Sequence, residues 1–116
     1  MQGTLCCTTR NSYDELLKRH ESHILTNFTK PDRLTSKNVE IKVMDPLTET
    51  EHTTWLNTLI IKNPDPKAKK IVFFHGFGLP SATYLPFLEG LSDKFTIYAI
   101  DHLGMGCSGR PPIKYT

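Results

Sequence analysis

The run Lys70-Ile71-Val72-Phe73-Phe74, followed at once by His75-Gly76-Phe77-Gly78, constrains the fold more than any other stretch of this chain. Two β-branched residues and two aromatics in succession suit a strand buried on both faces, as in parallel sheets covered by helices. The glycines let the backbone turn sharply after it and leave N–H groups free to meet a ligand. A second apolar run, Phe95-Thr96-Ile97-Tyr98-Ala99-Ile100, leads into Asp101-His102-Leu103-Gly104-Met105-Gly106-Cys107-Ser108-Gly109-Arg110-Pro111. Between the two runs Leu85, Leu88 and Leu91 recur at helical spacing, and Pro86 is tolerable only if the helix proper begins near it. Gly90 and Ser92-Asp93-Lys94 end that helix. Strand, glycine turn, short helix and strand make one βαβ unit with a parallel pair.

Upstream, Ser12 and Glu15 fit a capping box and Pro31 closes the segment, so a helix is expected over residues 13–27. Its apolar positions Tyr13, Leu16, Leu17, Ile24, Leu25 and Phe28 fall mainly on one face, with Lys18, Arg19, Glu21 and His23 elsewhere. That stripe suits packing on the core, and a partner-facing or membrane-facing helix is the alternative. His20 and His23 are three apart but have no third ligand nearby, and read as solvated. The strict alternation Val39-Glu40-Ile41-Lys42-Val43 predicts a half-buried strand, and residues 53–62 predict its antiparallel partner after the Asp45-Pro46 turn. Trp55, on that second strand, reads as core rather than as a substrate platform. Pro64 and Pro66 make a loop of the next stretch, and Lys67, Lys69 and Lys70 there could touch anionic headgroups or simply solubilise it.

A chain of 116 residues with 38% hydrophobic and 22% charged residues suits one small globular unit, and a net charge of +2 argues against a nucleic-acid surface. Cys6, Cys7 and Cys107 form neither an even disulfide set nor a metal spacing, which points to a reducing compartment. Residues 1–11 carry no signal-peptide pattern and read as a disordered tail, with S-palmitoylation of Cys6 and Cys7 the alternative. No run approaches the roughly eighteen apolar residues of a membrane span. A cytoplasmic protein, neither secreted nor membrane-spanning, is therefore expected.

The order His75-Gly76-Phe77-Gly78, then Asp101-x-x-Gly104-x-Gly106-x-Ser108, resembles the α/β-hydrolase fold between its third and fourth strands. With Asp101-His102-Leu103-Gly104-Met105-Gly106-Cys107-Ser108-Gly109-Arg110-Pro111, the Trp55 hairpin and the N-terminal helix, the chain is similar to the abhydrolase-domain-containing protein 4 and 5 subfamily. The likeness runs over residues 13–112 and is best from Lys70 onward. It implies an α/β chain that forms the N-terminal part of such a fold: an amphipathic helix over 12–30, then an antiparallel hairpin and one βαβ unit over 38–116. It implies that the N–H of Phe77 serves an oxyanion hole, with Gly76 and Gly78 shaping the turn and His75 packing beneath it. A preorganised N–H facing the tetrahedral intermediate is worth about 3 kcal/mol. Asp101 and Ser108 would knit the glycine loop around Gly104 and Gly106. The nucleophile, acid and base are expected beyond Thr116. The implied reaction is acyl-ester hydrolysis or acyl transfer on glycerolipids or lysophospholipids, with no cofactor and no metal. The implied partners are a lipid or acyl-ester substrate, a membrane or lipid-droplet surface and a lipase. A non-catalytic lipid-droplet scaffold or lipase co-activator of the same fold is one alternative. An epoxide-hydrolase type is another, although its loop more often carries proline where Gly78 stands.

Three shorter patterns compete for attention. Gly104-x-Gly106-x-x-Gly109 matches the dinucleotide fingerprint, but Arg110-Pro111-Pro112 follows where a helix would have to open. Gly106-Cys107-Ser108-Gly109 misses the G-x-S-x-G elbow because Arg110 stands where its second glycine belongs. Cys107 has no histidine placed to activate it, His102 being the one alternative. Ser108 and Cys107 are therefore left out of the catalytic set.

Overall fold

The computed structural model describes residues 10–28 and 30–113, with side chains from Glu15 onward. Cys6 and Cys7 lie outside the described residues. The elements are helix α1 (Arg10–Leu25), strands β1 (Leu34–Met44), β2 (Glu51–Ile61) and β3 (Lys69–Phe74), a 3₁₀ turn over Ser81–Tyr84, helix α2 (Leu85–Leu91) and strand β4 (Phe95–Ile100). They form one open four-stranded sheet in the order β1-β2-β4-β3. Each strand is longer than, or equal to, the run that predicts it. α1 starts earlier, at Arg10, so Ser12 lies inside the helix and cannot cap it.

β1 and β2 pair antiparallel along their full eleven residues, from Leu34 opposite Ile61 to Met44 opposite Glu51. Their connection is closed by Asp45, whose carboxylate accepts the Leu47 N–H at 2.9 Å while its backbone N–H donates to Thr50 at 2.8 Å. Only Thr58 to Ile61 of β2 continue the sheet, antiparallel to β4, so the outer half of the hairpin projects beyond it. β3 and β4 are parallel over six residues, from Lys69 opposite Phe95 to Phe74 opposite Ile100. α2 is the crossover between them. It opens at Leu85 with Pro86 in its first turn, where the missing N–H is harmless, and ends on Ser92, whose N–H returns to Leu88 at 3.0 Å.

Register places Leu59, Ala99 and Phe73 side by side, and likewise Ile61, Ile97 and Ile71. Against this face pack Ala82, Leu85, Leu88 and Phe28, and burying each such leucine or phenylalanine is worth about 1.5–3 kcal/mol. Both helices lie here. The opposite face carries Val72 at 56% and Phe74 at 59% exposure beside half-buried Ile60, Tyr98 and Ile100. This corrects the expectation that β3 is buried on both faces: among the described residues no helix covers its second side.

α1 also departs from its pattern. Ile24 and Leu25 pack on the core and Phe28 is buried just past the helix end, but Leu16 is 46% exposed and Glu21 is buried. Lys18 and Glu21 face the sheet because a polar receptor waits there. Lys18 Nζ donates to Glu21 at 2.9 Å, to Ser36 at 2.8 Å and to Asn57 at 3.1 Å, and Asn57 Nδ2 donates to Glu21. At the far end of the core, Lys30 and Arg33 both reach Asp93, at 2.6 and 3.1 Å, and their hydrogen bonds hold its carboxyl below the ordinary value.

Candidate active-site turn

Because β3 and β4 are parallel and end in register, Phe74 opposite Ile100, the His75 turn and the Asp101 loop emerge side by side from one edge of the sheet. Between them lies a cavity of about 180 Å³, lined by His75, Phe77, Gly78, Leu79, Pro80, Met105 and Gly106. Gly78 stands at φ +88°, a conformation in which a side chain is strained. Phe77 is 94% exposed at the tip, whereas His75 is buried.

His75 is held from two sides. Its Nε2 accepts the backbone N–H of His102 at 3.0 Å, which leaves the ring proton on Nδ1, and Nδ1 donates to the Gly76 carbonyl at 2.7 Å. Since that peptide is trans, the Phe77 N–H points the opposite way, away from the ring. No group among the described residues accepts it. His75 has no free nitrogen with which to act as a base.

Asp101 is the node of the second loop and is fully buried. Its Oδ1 accepts the Ser81 N–H at 2.8 Å, and its Oδ2 accepts Asn57 Nδ2 at 3.0 Å and the Cys107 N–H at 3.1 Å. One carboxylate thereby ties the start of the crossover, the middle of β2 and the glycine loop. Ser108 closes the arrangement: its hydroxyl donates to the Asp101 carbonyl at 2.6 Å and accepts the Asn57 N–H at 2.9 Å. Both hydroxyl valences are spent on backbone, and Ser108 is fully buried, so it cannot attack a substrate. Gly106 has φ +52°, and a Cβ there would run into the Asp101 carboxylate. Gly104, at φ +81°, donates to the Gly109 carbonyl at 2.9 Å. Trp55 is half-buried and its Nε1 donates to the Cys107 carbonyl at 2.7 Å, so it fastens the loop to β2.

Burial pushes the Cys107 thiol up to about 12, and the Glu21 charge adds to it. The thiol is protonated and unreactive at neutral pH. The ligand atoms of Glu21, Asp101 and Cys107 do lie within 4.8 Å of one another. Every oxygen of the two carboxylates already accepts hydrogen bonds, Glu21 from Lys18, Ser36 and Asn57 and Asp101 from Ser81, Asn57 and Cys107, so the cluster is a closed polar network rather than a metal centre. His20 and His23 are both exposed on α1. No helix among the described residues is long and apolar enough to cross a membrane.

Sequence reasoning missed His102 and Asn57. Asn57 sits in a strand of ordinary pattern, and only the fold brings it onto Asp101.

No family model matches the chain. It is 42% identical over 45 residues, 39% of its length, to the 2-(acetamidomethylene)succinate hydrolase of Mesorhizobium japonicum, and spans 16% of that relative. Among solved structures it is similar to a probable hydrolytic enzyme from Pseudomonas aeruginosa, with a TM-score of 0.59 at 14% identity over 71% of this chain and 25% of the other. It is also similar to the Cif epoxide hydrolase from Acinetobacter nosocomialis, with a TM-score of 0.50 at 22% identity over 88% of this chain and 28% of the other. The chain thus spans about a quarter of the solved structures it matches. Its fold, one open mixed sheet with helices on one face, is of the α/β-hydrolase kind.

Proposed function

We propose that this chain is the oxyanion-bearing N-terminal part of a lipid-directed α/β-hydrolase of the abhydrolase-domain-containing protein 4 and 5 type, acting in acyl-ester hydrolysis or acyl transfer on glycerolipids or lysophospholipids. The observation that carries the reading is the Phe77 N–H, turned away from the His75 ring beside a cavity whose walls include Leu79, Pro80 and Met105. A donor so placed can meet the charge that develops on an ester carbonyl, and the apolar walls suit an acyl chain better than a charged one. The likeness to an epoxide hydrolase concerns the fold alone, and Gly78 stands where that type more often has proline.

The test uses the full-length protein with a lysophospholipid and a monoacylglycerol as substrates. Phe77→Pro deletes the donor and is expected to lower kcat by about 10²–10³, while Phe77→Ala keeps the N–H and retains most of kcat. Equal losses in both variants would refute the oxyanion role. Absence of any turnover by the wild-type protein would leave the non-catalytic scaffold as the reading.

A further inference from the structure

We infer that His102 is a positioning residue: acting through His75, it fixes the direction of the Phe77 N–H. The two histidines clasp each other reciprocally. The backbone N–H of His102 donates to His75 Nε2 at 3.0 Å, and the His102 ring Nε2 donates to the His75 carbonyl at 2.9 Å. Their rings meet edge to face at 4.4 Å, and Phe74 stacks on the His102 ring at 5.6 Å. The clasp joins the turn after β3 to the loop after β4.

The consequence is chemical. A backbone N–H can only donate, so His75 Nε2 must be bare, and the one proton of the neutral ring sits on Nδ1. That proton is what turns the Gly76 carbonyl inward, and a trans peptide then sends the Phe77 N–H outward. If the ring carried its proton on Nε2, it would oppose the His102 N–H with a donor and would offer Gly76 no donor at all. The tautomer of His75 and the aim of the Phe77 N–H are therefore one state: the backbone N–H of His102 selects it, and the His102 ring, through the His75 carbonyl, holds the two loops where that backbone contact forms. Two glycines beside Phe77 leave the turn little stiffness of its own, so an external clasp is what holds its direction. Its catalytic meaning rests on the oxyanion reading above, whereas its geometry does not.

The first arm needs no activity. Long-range ¹H–¹⁵N correlation of the histidine rings in the full-length protein is expected to show His75 protonated at Nδ1 and bare at Nε2. His102→Phe keeps the stack on Phe74 but loses the ring donor. It is expected to mix in the other His75 tautomer and to shift the Phe77 amide, with the β1–β2 amides unmoved as the control for folding. His102→Gln restores a side-chain N–H donor and is expected to recover both signals. The second arm measures the full-length protein on the same lipid substrates: His102→Phe should lower kcat at least about tenfold, short of losing a whole donor, with KM unchanged and His102→Gln rescuing. A wild-type His75 protonated at Nε2 would overturn the inference, as would a His102→Phe protein whose tautomer and Phe77 amide are unchanged. The expected tautomer in a full-length protein without esterase turnover would uphold the clasp and refute the function instead.

Discussion

Replacing Asp101 tests the internal logic of the site region more severely than any other single change. Asp101→Ala removes the acceptor of three donors, the Ser81 N–H, the Cys107 N–H and Asn57 Nδ2, which are bound at 2.8, 3.1 and 3.0 Å. Ser81 and Asn57 are fully buried, so water cannot replace the lost partner without a rearrangement. Each stranded donor costs about 1–3 kcal/mol, which puts the loss of three at about 3–9 kcal/mol before offsets. Two offsets act. A buried carboxylate no longer has to be desolvated, and Glu21, which shares the Asn57 amide with Asp101, loses a like-charged neighbour. The expected loss is therefore near the lower end, about 3 kcal/mol, a large part of the 5–15 kcal/mol of a typical domain. Asp101→Asn can turn its oxygen toward Asn57 and Cys107 and strand only the Ser81 N–H, so about 1–3 kcal/mol is expected. Urea unfolding at matched low concentration gives both values, and hydrogen exchange should show the Ser81 and Cys107 amides losing protection first. An Asp101→Ala loss below about 0.5 kcal/mol, the range of ordinary surface changes, would refute the reasoning, as would equal losses in the two variants.

The other predictions concern the turn, the thiol and the sheet edge. Gly106→Ala should destabilise by about 2–4 kcal/mol because strain at φ +52° is joined by collision with Asp101, whereas Gly78→Ala, at φ +88° with open space around it, should cost about 1–2 kcal/mol; the reverse order in thermal melts would contradict the geometry. With its pKa raised to about 12, half-buried Cys107 should resist iodoacetamide at pH 8 in the folded chain and react faster on unfolding in urea; peptide mapping by mass spectrometry reads this site alone, and rapid labelling of the folded chain would contradict the raised pKa. Val72 is exposed on β3, the edge strand of the sheet among the described residues, so Val72→Lys should raise the monomer fraction seen by light scattering, and an unchanged fraction would show that this edge is not what associates.

The βαβ unit was legible because its information is local. An all-apolar run, a glycine pair and a proline that can only open a helix each declare themselves within a few residues. The antiparallel hairpin was legible from the alternation of Val39, Ile41 and Val43 against Glu40 and Lys42. α1 was legible as a helix but not in its orientation, since the burial of Glu21 depends on Asn57, thirty-six residues away on β2. Helical periodicity ranks positions by apolarity and so sends a charged residue outward unless a distant partner is known. Exposure of Val72 and Phe74 was hidden for the converse reason, because an apolar run records what a strand needs and not what covers it. His102 was missed because its role comes from register. Only when Phe74 is seen opposite Ile100 does it follow that His75 and His102 meet just beyond the strand ends.

The central claim, that the turn after β3 presents the Phe77 N–H to a reacting carbonyl, is tested most directly by a structure of the full-length protein with an alkyl phosphonate, whose tetrahedral oxygen stands in for the oxyanion. The account predicts that oxygen about 2.7–3.1 Å from the Phe77 nitrogen, with the Gly76 carbonyl still on His75. A phosphonate bound with its oxygen elsewhere, and the Phe77 N–H turned inward, would contradict it.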